Sequence, residues 1–227
     1  MRRDDFREAL RRASEITADR DLVVIGSQSL HGSFNMAVLQ EQAVLTLSME
    51  IDVLTADDPD GNKVFALLAR GGAHAGAEID GVDITTSALP EGWVDRLVPF
   101  PLDDTPEAVI AWCLDPHDLV VAKAIAGREK DWRFIRAAVS ATLVDPQECL
   151  QRMAHLDAGC YVPKPGALEA ARFFLASLHG AAQLYRSATR PVHKGRSRPR
   201  RDQFLPPGDM FHDLRRERHD SSGTEIP

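Results

Sequence analysis

At 227 residues the chain can bury one good core, with room for a small second lobe or a tail. Hydrophobic residues make up 44% and charged residues 27%, close to the soluble average, which argues against wholesale disorder and against a membrane bundle. The formal net charge of -7 is uneven: residues 186–227 carry ten Lys and Arg against six Asp and Glu, a net of +4, so residues 1–185 carry -11. An acidic body with a basic tail is not the pattern of a protein that simply coats nucleic acid.

No window resembles a transmembrane span, and the basic N-terminus lacks the apolar segment of a secretory signal, so no membrane partner is expected and the compartment is read as cytoplasmic. Cys113, Cys149 and Cys160 are odd in number and widely spaced, and read as reduced structural thiols rather than a disulfide or zinc framework.

In chain order, Phe6, Ala9, Leu10, Ala13 and Ile16 recur at helical spacing and predict an amphipathic helix over 4–18, with Asp4 and Asp5 at its positive end. Leu22-Val23-Val24-Ile25, closed by Gly26, has the pattern of a buried strand. A helix is expected over 27–40, loosened around Gly32-Ser33, then a strand over 49–54 and a helix over 59–70 that ends at Gly71-Gly72. From 74 to 100 the reading is mostly β, with a hairpin at Asp80-Gly81 and strands at 82–85 and 93–98; 109–114 is a further strand. Asp115-Pro116 and Asp145-Pro146 each read as an N-cap followed by a first-turn proline, and 116–185 as helical. The expected organisation is an α/β (α+β) core over 1–114, a helical lobe over 115–187 and a basic, Pro/Arg-rich disordered tail over 188–227.

Three stretches could carry chemistry. Glu50 and Asp52 are two apart on a strand and so share a face, making a platform of hard oxygen ligands suited to Mg²⁺; the same alternation also describes the wet face of any half-buried strand. Gly26-Ser27 opens a helix, where a tight turn, free amides and a positive dipole end would suit a triphosphate, or where a serine merely caps. GSQSLHG is neither a Walker loop nor a dinucleotide fingerprint, and Leu30 rules out a nucleophile elbow. Lys123 is the one charge in the run from Leu119 to Gly127, free either to reach a phosphate or to snorkel to solvent. Lys130 and Asp131 follow at a helix start, Asp131 as a cap or as part of the site. Asp83 is a further carboxylate, placed on a neighbouring strand as a general base or in a turn. His31 and His117 read as packing or capping residues.

Taken in order, VVIGSQSLHG, SMEIDVL and HDLVVAKAIAGREKDWRFI resemble the nucleotidyltransferase superfamily, and more narrowly the minimal AbiEii-like nucleotidyltransferases of toxin–antitoxin and phage-defence systems. The closest likeness is to a bacterial branch that shares the IGSQ turn, the SME-x-DV strand, an LPEGW-RLVP segment (89–93 and 96–99) and K-x-x-A-G-R-E-K-D. The resemblance spans about residues 22–139. It implies a Pol β-like core and Mg²⁺- or Mn²⁺-dependent transfer of a nucleotide from an NTP to a hydroxyl of RNA or of a cognate partner protein. It places Gly26, Ser27 and Lys123 on the nucleotide, Glu50 and Asp52 on the metal, and Glu50, Asp52, Lys123 and Asp131 in catalysis. Glu50 stands where the superfamily usually has aspartate, which leaves a second reading, a catalytically altered, antitoxin-like binding module.

Overall fold

A computed structural model describes residues 1–41, 48–55, 58, 60–74, 76–105, 107–156 and 162–188. Six strands form one mixed sheet in the order β3-β4-β2-β1-β6-β5. Its centre is β1 (Asp21–Val24), antiparallel to β2 (Glu50–Thr55) and parallel to β6 (Ile110–Cys113). Beyond β2 lie β4 (Ala77–Gly81), which runs parallel to it, and β3 (Gly72–His74), which turns back on β4; β5 (Val98–Pro101) closes the other edge. A mixed sheet with helices on both faces is the α+β nucleotidyltransferase-like class that the resemblance implied.

Period-two alternation divides the sheet residues between two apolar layers. Leu22, Val24, Ile51, Val53 and Ile79 pack beneath α1 (Arg3–Thr17) and α4 (Asn62–Arg70), joined there by Phe6, Leu10 and Leu67. Val23, Ile25, Leu54 and Trp112 face the other way, into a cluster that continues through α5 (Pro116–Ala126), α6 (Glu129–Ser140), α7 (Pro146–Met153) and α8 (Ala167–Ala188). Both Asp-Pro caps form as expected: Asp115 accepts from the His117 amide and Asp145 from the Gln147 amide, with proline in the first turn of each helix. His117 is a capping residue in its own right, since its Nε2 accepts the Asp145 N–H at 3.1 Å while Nδ1 lies 3.1 Å from Asp115. No described helix is long and apolar enough to cross a membrane. Cys113 and Cys149 are buried free thiols, and burial raises the Cys113 thiol to about 12. Cys160 and the basic tail beyond residue 188 lie outside the described residues.

Three expectations are corrected. Asp80-Gly81 is not a hairpin turn: it ends β4, and Gly81 is needed because a Cβ there would stand 2.6 Å from the Val64 carbonyl and 2.8 Å from Leu67 Cβ, where α4 crosses. The reversal comes at Gly76, whose φ of +78° an L side chain rarely adopts. Residues 82–85 are not a strand but lead into a 3₁₀ turn over Ile84–Thr86. Residues 93–96 are likewise a 3₁₀ turn, opened by Gly92 at φ +71°; buried Trp93, Val94 and Leu97 follow a helical spacing, not a strand's.

The helix expected over 27–40, loosened around Gly32-Ser33, is a 3₁₀ turn (Ser27–Ser29), a short α2 (Leu30–Ser33) and α3 (Met36–Glu41), the break falling after Ser33. His31, in α2, stacks on Phe6 with ring centroids 4.6 Å apart and is 1% exposed. Burial, with Arg3 and the N-terminus nearby, pulls its pKa down to about 4. Because the folded value lies below the unfolded one, the ring costs nothing above pH about 6.5, and stability falls as pH drops from there towards 4. We expect losses of about 2 kcal/mol at pH 5 and about 3 kcal/mol at pH 4 relative to pH 7. Urea titrations across that range, repeated on His31→Leu, should show the slope flattened in the variant; an unchanged slope would assign the acid sensitivity elsewhere.

Candidate active-site cleft

β1 delivers the chain to Gly26, and the Ile25 amide donates to the Asp52 carbonyl at 3.1 Å, so the turn is pinned against the carboxylate strand. Glu50, Asp52 and Leu54 share the face of β2 that looks towards α5, because Ile51 and Val53 are taken by the opposite layer. A Cβ built on Gly26 would lie 1.6 Å from Asp52 Oδ2 and 2.6 Å from its Cγ. Gly26 has φ -84°, a value open to any residue, so glycine is required here by the closeness of the carboxylate and not by backbone conformation.

Gly26 and Asp52 open into a cleft of about 350 Å³. Its apolar lining includes Leu119, Ala122, Ile125 and Ala126 of α5, together with Val82. The charged residues of the lining are Asp52, Lys123 and Arg128, and Thr86 and Ser87 are its hydroxyl-bearing residues. Burial pushes the Asp52 carboxyl up; Lys123 opposes this, Glu50 and Asp80 add to it, and Arg128 lowers it.

Lys123 does not snorkel. Its Nζ is 3.3 Å from Asp131 Oδ1 and 4.8 Å from the Phe134 ring centroid, and its side chain is 12% exposed. Burial lowers its pKa and Asp131 raises it again. Asp131 makes no backbone cap; it lies buried behind the cleft, bonded to Arg128 Nε at 2.6 Å as well as to Lys123. Burial alone would raise its carboxyl, but these two cations prevail and hold it below the usual range. Gly127, at φ +62°, reverses the chain between α5 and α6 and so brings Arg128 to the mouth of the cleft.

The remaining sequence candidates sit apart from the cleft wall. Glu50 is at the exposed rim, its Oε2 4.0 Å from Lys130 Nζ. Ser27 is half-buried beside Gly26, and the amides of Ser29 and Leu30 in this turn are already given to Gly26, Ser27 and Gln28 carbonyls. With only a 3₁₀ turn and α2 behind it, the turn lacks the long-helix dipole that was expected. Asp83 is on no strand: its Oδ1 accepts from the Thr85 amide at 2.7 Å and the Thr85 hydroxyl at 2.6 Å, capping the 84–86 turn. The acid that does stand beside the pair is Asp80, directly opposite Asp52 across the parallel β2–β4 register, with Glu78 opposite Glu50. Arg128 and Asp80 were both missed by the sequence reading.

Among the described residues no three His, Cys, Asp or Glu side chains form a ready metal cage. The donor set still fits Mg²⁺ or Mn²⁺ arriving with a nucleotide, because Mg²⁺ is usually held by one or two carboxylates and completed by phosphate oxygens and water. Asp52, with Glu50 at the rim, supplies hard oxygens beside a turn kept free of side-chain bulk.

A family model described as "Nucleotidyltransferase of unknown function (DUF6036)" matches residues 4–164. No curated protein and no solved structure matches the chain.

Proposed function

The chain belongs to this nucleotidyltransferase family, and we propose that it transfers a nucleotide from an NTP to a hydroxyl acceptor within the Gly26–Asp52–Lys123 cleft. The observation that carries the reading is the contact between Gly26 and the Asp52 carboxylate, facing two cations in one cleft. Glu50 and Asp52 hold Mg²⁺ or Mn²⁺, and Asp80 shapes the field around Asp52. The bound metal supplies Lewis-acid neutralisation of the transferring phosphoryl group and the leaving pyrophosphate. Lys123 and Arg128 face the triphosphate, with Asp131 behind them fixing their positions as a buried counter-ion. Gly26, which lines the cleft, leaves room for the phosphates beside Asp52, with Ser27 next to it in the turn.

The order of the motifs supports an AbiEii-like assignment, with an acceptor hydroxyl on RNA or protein and a cytoplasmic, bacterial toxin–antitoxin or phage-defence setting. The exposed position of Glu50, paired with Lys130 rather than turned into the cleft, favours the second reading of a catalytically altered binding module.

The test is incubation with Mg²⁺ or Mn²⁺, each labelled NTP, and total RNA or protein from the source cell. Metal-dependent labelling that a Glu50→Ala/Asp52→Ala double variant loses is the expected result. Equal labelling by the variant would sink the site assignment. Copurification of a partner without turnover would favour the binding module.

A further inference from the structure

The charged residues that line the cleft are close to one another: Lys123 and Arg128 share Asp131, and both act on the Asp52 carboxyl. The triphosphate belongs against Asp52, Lys123 and Arg128 if the reading above holds, on which this inference rests. The other lining residues, among them Leu119 and Ala122 of α5 and Val82, Thr86, Ser87 and Ala88, carry no charge and are left for the nucleoside. The volume of the whole cleft, about 350 Å³, lies at the small end of ligand pockets.

The polar side chains among these uncharged residues are Thr86 and Ser87. Thr86 Oγ1 lies 2.6 Å from the Asp83 carbonyl oxygen. A carbonyl only accepts, so the single hydroxyl proton of Thr86 is committed to it, and to any further partner Thr86 offers lone pairs alone. The turn that fixes this orientation is closed by the Thr86 amide to the same carbonyl at 3.0 Å and by the Asp83 cap on Thr85. Asp83, expected from sequence as a carboxylate of the site, instead holds Thr86 in its turn.

We propose that Thr86 is a specificity-determining residue that selects nucleotides bearing an exocyclic amine at purine C6 or pyrimidine C4. Adenine N6 and cytosine N4 donate to such an acceptor, whereas the guanine O6 and uracil O4 carbonyls present a second acceptor to it. Leaving the Thr86 lone pairs against a carbonyl, with the proton held elsewhere, forfeits one hydrogen bond, a difference of about tenfold in affinity.

The decisive pair is ATP and ITP, which carry the same triphosphate and sugar and differ in amine against carbonyl at C6, and with it in acceptor against donor at N1. Equilibrium binding of ATP, ITP, CTP and UTP to the full chain, measured calorimetrically with Mg²⁺ and without acceptor, should give ATP over ITP and CTP over UTP by about tenfold each. Thr86→Val should bring both ratios towards one, while Thr86→Ser, which keeps the hydroxyl, should retain them. Thr86 reaches solvent, so neither variant threatens the core. Equal binding of the paired nucleotides by the parent protein, or ratios that survive in Thr86→Val, would overturn the assignment of Thr86 and leave nucleotide transfer standing. Absence of binding by all four would overturn both.

Discussion

Gly26→Ala should reduce nucleotide transfer at least a hundredfold while the protein remains folded. The added methyl group would occupy the position of Asp52 Oδ2, 1.6 Å away, and would crowd the Asp52 Cβ at 3.1 Å. The carboxylate must therefore rotate out of its place in the cleft, and a catalytic group displaced by about 1 Å is enough to cost a hundredfold in rate. Stability changes less, because the group that yields is the end of a side chain bordering the open cleft and not packed backbone. A single-turnover labelling assay alongside thermal melts tests this. Full transfer by a stably folded Gly26→Ala protein would show that the Asp52 position seen here is not the working one.

The largest stability effect is expected at Asp118, on the same helix as Lys123. Asp118 is fully buried; its Oδ2 accepts from Arg96 Nε at 2.8 Å, and its Oδ1 accepts from Arg96 Nη2 at 3.1 Å and lies 3.0 Å from Arg152 Nη1. Arg96 also donates to the Glu91 carbonyl at 2.9 Å, and Arg152 to Asp115 at 2.8 Å and Glu148 at 2.9 Å. One carboxylate thus ties the 90–96 segment and α7 to the start of α5. Asp118→Ala should lower the unfolding free energy by about 3 kcal/mol, because two half-buried guanidinium groups lose a desolvated counter-ion they share. For a chain of this size that is a fall of about 10 °C in melting temperature. A loss below about 1 kcal/mol in urea titration would mean that the remaining acceptors compensate.

The sequence made the central strand, the caps and the polar face of β2 readable because each depends on local chemistry. Four apolar residues ending at a glycine, Asp-Pro at two helix starts, and Glu50 and Asp52 two apart all have meanings that survive without knowledge of tertiary neighbours. The one lysine in an apolar helix was also a sound signal, since a buried ammonium must have a partner, and Asp131 eight residues on is that partner. What failed was of another kind. Asp80-Gly81 carries the signature of a turn, yet its glycine answers to the crossing of α4, a contact that no local window contains. Without the parallel pairing of β2 and β4, Asp80 could not be placed opposite Asp52. Asp83, misplaced with the hairpin, then looked like a site acid. Arg128 stood inside a quoted motif, but only the chain reversal at Gly127 turns it to the cleft.

The position of β1 between β2 and β6 also bears on how the molecule assembles. Asp21 is paired with Ile110 and Val24 with Cys113, so the middle of the sheet joins two parts of the chain that lie far apart along it. Pairings of that kind close large loops and are slow to form. During synthesis Gly26 and Asp52 can meet early, but the flank of β1 stays open until β6 has been made, and Lys123 and Arg128 follow directly behind it. Completion of the cleft therefore coincides with closure of the sheet, and a nascent chain cut short before Ile110 holds an unpaired apolar strand and neither Lys123 nor Arg128, a species prone to aggregate and without the cleft proposed for transfer.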